Sequence, residues 1–180
     1  MLRKPLLIVF VALLAGACAA QAASSSLFED FSRQKDLRIY VAEPSAASGQ
    51  IALDPALVKS SIEKALEKRK SVNFRVVPSE AEAEWVIQSE LKAFVFSLTD
   101  PMDMLIGVTG AAIDAAVQDH FATTEAVFAV RKANAKQAAW SDKLKASVTH
   151  HTMTEEESKL KVSEKLAEML MRSAFGKKKR

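Results

Sequence analysis

FATTEAVFAVRKANAKQAAWSDKLKASVT, running from Phe121 to Thr149, reads as two long strands joined by a polar turn. In the second half Trp140, Asp142, Leu144, Ala146 and Val148 share one face. Ser141, Lys143, Lys145, Ser147 and Thr149 share the other, the period of two of a half-buried strand. In the first half Ala122, Thr124, Ala126, Phe128 and Val130 lie on one face, with Glu125 and Arg131 opposite. Lys132-Ala133-Asn134-Ala135-Lys136 is predicted as the turn, and Asn134 is the residue there best suited to a positive φ. Asp142 is the polar exception on an apolar face, which suits a sheet edge.

Upstream, Glu84 to Leu98 (EWVIQSELKAFVFSL) is predicted as the longest strand. Unbroken alternation puts Trp85, Ile87, Leu91, Ala93 and Val95 on one face and Gln88, Glu90, Lys92, Phe94 and Phe96 on the other. Its far end then needs cover on both sides. The connection from Thr99 to His120 carries Met102, Met104, Leu105, Ile106 and Val108 and little charge. Either it folds over the sheet as a loop with a short helix, or it contacts lipid, a ligand, a partner or another subunit. Its length and Gly107 and Gly110 exclude a membrane-spanning helix.

Before these strands, Leu37 to Ala42 alternates as a first strand, Pro44 to Gln50 is a loop, and Val72 to Val77 is a second strand. The helix between them shows both ends. Asp54 caps the first amides, Pro55 occupies the first position, and Lys68, Arg69 and Lys70 complement the negative end of the helix dipole. Val58, Ile62, Ala65 and Leu66 form its apolar stripe. A last helix opens with a capping box, Thr154 with Glu157, carries Leu160, Ser163, Leu166, Ala167, Leu170 and Ala174 on one side, and stops at Gly176. The pattern strand-helix-strand-strand-strand-strand-helix predicts an α+β domain over 37–176. Its sheet is mixed and largely antiparallel, of about five strands, with two main helices on one face.

The ends of the chain are set apart. Arg3 and Lys4, the apolar run Leu6 to Ala15 and the small residues that follow have the order of a secretory signal peptide over 1–22. Two processing sites compete. Ala20-Gln21-Ala22 suits ordinary cleavage and release into the periplasm, whereas Leu14-Ala15-Gly16-Ala17-Cys18 resembles a lipobox that would lipidate Cys18 and tether the protein to the outer membrane. Residues 23–36 form a spacer in which Leu27, Phe28 and Phe31 either pack locally or dock on a partner, and 177–180 is a basic tail.

Composition narrows the function. Removing residues 1–22 takes away Arg3 and Lys4 and no acid, leaving 23 basic against 22 acidic side chains, so nucleic-acid binding is not expected. Cys18 is the single cysteine, so the fold depends on its core rather than on a disulfide. His150 and His151 are strand neighbours facing opposite ways and His120 is the only other histidine, so no metal site is expected. Asp100, Asp103, Asp114 and Asp119 have no nucleophile or histidine partner in sequence and read as solvated loop carboxylates. Trp85 and Trp140 read as core anchors. No cofactor motif and no catalytic signature is present, and an enzyme is not expected.

AEAEWVIQSELKAF (81–94), then FAVRKANAKQAAWSDKLKASV (128–148) and a closing amphipathic helix, resemble small bacterial envelope proteins of the curli-secretion and penicillin-binding-protein-activator type. The chain departs from them with Ala135 at the turn glycine and Ser89 where a glycine often follows the first motif. The resemblance implies a non-catalytic envelope role: an adaptor or assembly factor for a protein partner, or a subunit of an oligomeric channel or secretion assembly. A carrier of an apolar ligand is the third reading.

Overall fold

The computed structural model describes residues 27, 31, 32, 34, 36–46, 53–69, 72–97, 120–150 and 153–176. They form β1 (Leu37–Val41), β2 (Ser45–Ala46), α1 (Pro55–Glu67), β3 (Phe74–Val76), β4 (Trp85–Ser97), β5 (His120–Lys132), β6 (Trp140–His150) and α2 (Glu155–Ser173). A single-turn 3-10 helix, Glu80–Glu82, precedes β4. One six-stranded sheet runs in the order β3-β1-β4-β5-β6, with β2 joined to β4. It has two halves. The pairs β1·β3, β1·β4 and β2·β4 are parallel and short, whereas β4·β5 and β5·β6 are antiparallel and span almost the whole strands. The chain is α+β, as its element order predicts.

Both helices form where local chemistry sets their ends. The Asp54 carboxylate accepts the Ala56 amide at 2.9 Å with Pro55 in the first turn. The Thr154 hydroxyl accepts the Glu157 amide at 3.2 Å while Glu157 accepts the Thr154 amide at 2.9 Å, completing the capping box. At the end of α2 a Cβ on Gly176 would fall 2.1 Å from the Arg172 carbonyl oxygen, so only glycine fits there. Val58, Ile62 and Leu66 of α1 and Val162, Leu166 and Leu170 of α2 are buried. Leu160 corrects the expected stripe: it is 41% exposed, and Val162 takes the packed position. The buried hydroxyls of Ser158 and Ser163 donate to the carbonyls of Thr154 and Lys159 one turn back, so they sit in the core without orphaned donors.

β4 departs from simple alternation. The register shifts between Leu91 and Ala93, a β-bulge, so Leu91 lies opposite Ala126 but Phe94 lies opposite Thr124 and Phe96 opposite Ala122. An extra residue reverses the parity of everything after it. Phe94 and Phe96 therefore pack on the helix-covered face with Trp85, Ile87 and Leu91, and Ala93 and Val95 turn to the other face. The Thr124 hydroxyl donates to the Ala93 carbonyl at 2.7 Å and fastens the bulge. The hairpin loop also differs from the expected five-residue turn. Strand pairing stops at Val130 and Trp140, and among the described non-glycine residues only Asp36 has positive φ, 54°. Asn134 therefore does not take the αL role. Instead Arg131 donates to the carbonyls of Lys132, Ala133 and Ala135 and pairs with Glu80 at 2.7 Å, holding the loop from within.

The core reaches back before β1. Phe31 is fully buried, with ring centroids 4.7 Å from Trp85, 5.3 Å from Phe175 and 6.1 Å from Phe74, and the Leu27 amide donates to the Ala174 carbonyl at 2.8 Å. Leu27 and Phe31 thus pack against the domain, and Phe28 lies outside the described residues. Arg69, just past α1, donates to the carbonyls of Met171 and Phe175 at 2.7 and 2.5 Å. The C-terminal ends of both helices therefore meet, and one guanidinium serves the negative end of α2. Burial pushes the Arg69 group below its ordinary value, yet an arginine stays charged at any physiological pH.

Candidate functional site

Among the described residues, α1 and α2 cover one face of the sheet and neither covers the opposite face of β4, β5 and β6, much of which is accessible. On it Val95 is 46% exposed, and Phe121, Val127 and Ala129 are half-buried. Polar and charged residues are interleaved with them. Lys143 bridges to Glu125 at 2.6 Å and Lys92 to Glu90 at 2.5 Å, and the Thr123 and Ser147 hydroxyls are 3.0 Å apart. The hydrogen bond from Lys143, with the charges of Lys143 and Lys145, holds the Glu125 carboxyl below the ordinary carboxylate range. Such exposed pairs contribute little to stability, on the order of 0–1 kcal/mol. Their effect is to pattern the surface, apolar spots ringed by paired charges.

The two ends of this face differ. Near the hairpin loop Val86 is fully buried, its ladder partner is Arg131, and Arg131 pairs with Glu80 of the 3-10 segment. At the far end, where β4 stops at Ser97 and β5 starts at His120, Val95, Ser97 and Phe121 remain accessible. The same end of the helix-covered face carries His120 directly opposite His150, with the His120 ring 5.8 Å from Phe96. The sequence missed this pairing because the loop is longer than the predicted turn. Centred on Asn134, the hairpin would set Val148 opposite His120; centred on Ala135, it sets His150 there.

The other expected positions fall as follows. Trp85 and Trp140 are core residues. Asp142 lies on the edge strand β6, where it accepts from the Lys143 amide and from the Ser173 hydroxyl at 3.0 Å, tying the edge to the end of α2. Cys18, Met102, Met104, Leu105, Ile106 and Val108 lie outside the described residues, as do the four acids of the connection, His151 and the basic tail. Among the described residues, no group of three or more His, Cys, Asp or Glu side chains converges, and no helix is long and apolar enough to cross a membrane. Among the described residues, a depression of about 390 Å³ lies beside Gln34, Trp85 and Asn134, and another, of about 400 Å³, lies between the helices and is lined by Lys64, Lys68, Arg172, Glu164 and Glu168.

No family model matches the chain, and no curated protein matches its sequence. Among solved structures, the chain is similar to protein XCC0632 from Xanthomonas campestris at 10% identity, over 77% of this chain and 84% of that one, with a TM-score of 0.49. It is similar to PelC from Paraburkholderia phytofirmans, a dodecamer, at 11% identity over 78% and 89%, TM-score 0.46. It is also similar to lipoprotein B from Nitrosomonas europaea at 15% identity over 81% and 87%, TM-score 0.43. At these identities, and with TM-scores below 0.5, none of the likenesses assigns a function to this chain.

Proposed function

We propose that this is an exported, non-catalytic protein of the bacterial cell envelope, an adaptor that binds a protein partner through the uncovered face of its sheet. One observation carries the reading. Val95, Phe121 and Val127 stand on a face that neither α1 nor α2 covers, while Ala122, Ala126, Phe128 and Val130 on the other face of β5 are buried. An apolar centre rimmed by paired charges is the usual anatomy of a reversible protein contact. The signal-peptide pattern of residues 1–22 supports export, and Cys18 supports a lipid tether in the outer membrane. The test is site-specific photocrosslinking in intact envelopes, with the probe at Val95 or, as a control, at Glu164 on the outer side of α2. Adducts from Val95 alone are expected, and equal yields from both positions would reject the surface.

A second reading rests on a different feature. β6 forms one edge of the sheet, and its outer backbone groups are not claimed by any described strand. An edge of 11 residues can add a strand from another copy, making this a subunit of an oligomeric assembly. Light scattering on the purified chain separates the two, a monomer counting against the second.

A further inference from the structure

We infer that His120 and His150 form a two-imidazole site for a divalent first-row metal ion of the Zn²⁺ type. The inference is independent of the partner-binding face, since both residues lie on the helix-covered side, among the even-numbered positions of β5 and β6. Three observations support it. The two residues are direct partners across adjacent antiparallel strands, where Cβ atoms stand about 4.5–5.5 Å apart, so both rings can reach one ion at the usual Zn–N distance of about 2.0–2.1 Å. The Nδ1 atom of His120 is enclosed and has no hydrogen-bond partner. An unbonded buried polar atom is unfavourable, and an ion shared between the rings removes that penalty by fixing the tautomer and the ring orientation. The Phe96 ring packs beside His120 and limits the space the imidazole can sweep.

Neutral imidazole suits Zn²⁺, Ni²⁺ and Cu²⁺ and not the hard cations, which seek oxygen. Among the described residues, Glu157 lies near His150, and its carboxylate accepts from the Thr154 amide and hydroxyl. The protein thus supplies two nitrogens, and water or a further donor completes the shell. Affinity falls on acidification because only unprotonated imidazole binds.

The test is calorimetric titration of Zn²⁺ into the full chain, purified without a polyhistidine tag, alongside His120→Ala, His150→Ala and His151→Ala. Saturable 1:1 binding is expected, weakened at least tenfold by His120→Ala and by His150→Ala and unchanged by His151→Ala. Since His120 is half-buried, the exposed position 150 carries the test if the other variant fails to fold. Paramagnetic broadening by Ni²⁺ of the His120 and His150 ring signals in the same protein supplies a second readout. Absence of saturable binding, or binding that survives His150→Ala, overturns the site.

Discussion

The β5–β6 hairpin has one end that is tied down and one end that is not. At the loop end, Arg131 gathers three carbonyls and Glu80, and the Ala133 amide donates to the Glu84 carbonyl at 2.9 Å. Beside it Phe31, Phe74, Trp85 and Phe175 interlock. At the other end the ladder finishes in His120 and His150, with an orphaned ring nitrogen and an exposed Val95. The tied end joins segments far apart in sequence through side-chain and backbone bonds; the other end has fewer such ties among the described residues, and the proposed contacts lie there. A single hairpin thus separates what holds the sheet from what is proposed to be recognised.

That separation can be broken from the tied end. Phe31→Ala empties a fully buried ring position and should cost about 3–5 kcal/mol in urea unfolding, although residue 31 precedes the first strand. A loss below about 1 kcal/mol would mean that the segment before β1 is dispensable. Arg131→Ala leaves loop carbonyls and Glu80 without their donor, and a loss of about 1.5–3 kcal/mol is expected, measured by the same titration.

Smaller effects sharpen the comparison. Thr154→Ala removes the hydroxyl of the capping box and should cost about 1 kcal/mol in thermal unfolding. Its acid limb should change as well. The Thr154 amide and then its hydroxyl hold the Glu157 carboxyl below its ordinary value of 4.5. A depressed carboxylate stabilises the fold above its unfolded value and loses that contribution as the pH falls through the folded one. The variant should therefore lose less stability than the parent between about pH 5 and pH 3. Smallest of all, Val95→Lys at the open end should move stability by no more than about 0.5 kcal/mol while abolishing photocrosslinks from a probe at Val127.

Local chemistry is legible in the sequence. Asp54 with Pro55, and Thr154 with Glu157, specify helix starts through atoms within four residues, so their outcome does not depend on tertiary context. The alternation of β6 was equally plain because one of its faces is uniformly charged or hydroxylic. What escaped the sequence depends on counting across distance. The bulge beyond Leu91 has no residue signature, since Lys92 is an ordinary strand lysine, yet it decides which way Phe94 and Phe96 face. The length of the 133–139 loop, set by Arg131 and not by a turn residue, decides that His150 and not Val148 meets His120. Leu160 was misplaced because hydrophobicity alone cannot tell a stripe residue from an exposed leucine half a turn away.

The extra residue in β4 carries one more consequence, for how this chain tolerates change over generations. Replacing Lys92 with another side chain leaves the residue count intact and should be nearly silent. Deleting it would give an unbulged strand in which Ala93 follows Leu91 directly and still meets Glu125, so Phe94 and Phe96 would keep facing the core; pairing Lys92 regularly, without the bulge, is what would turn both rings to water. Lineages should thus vary freely in what occupies this position and tolerate its loss, while a single residue gained or lost elsewhere in the second half of β4 would turn the rings beyond it.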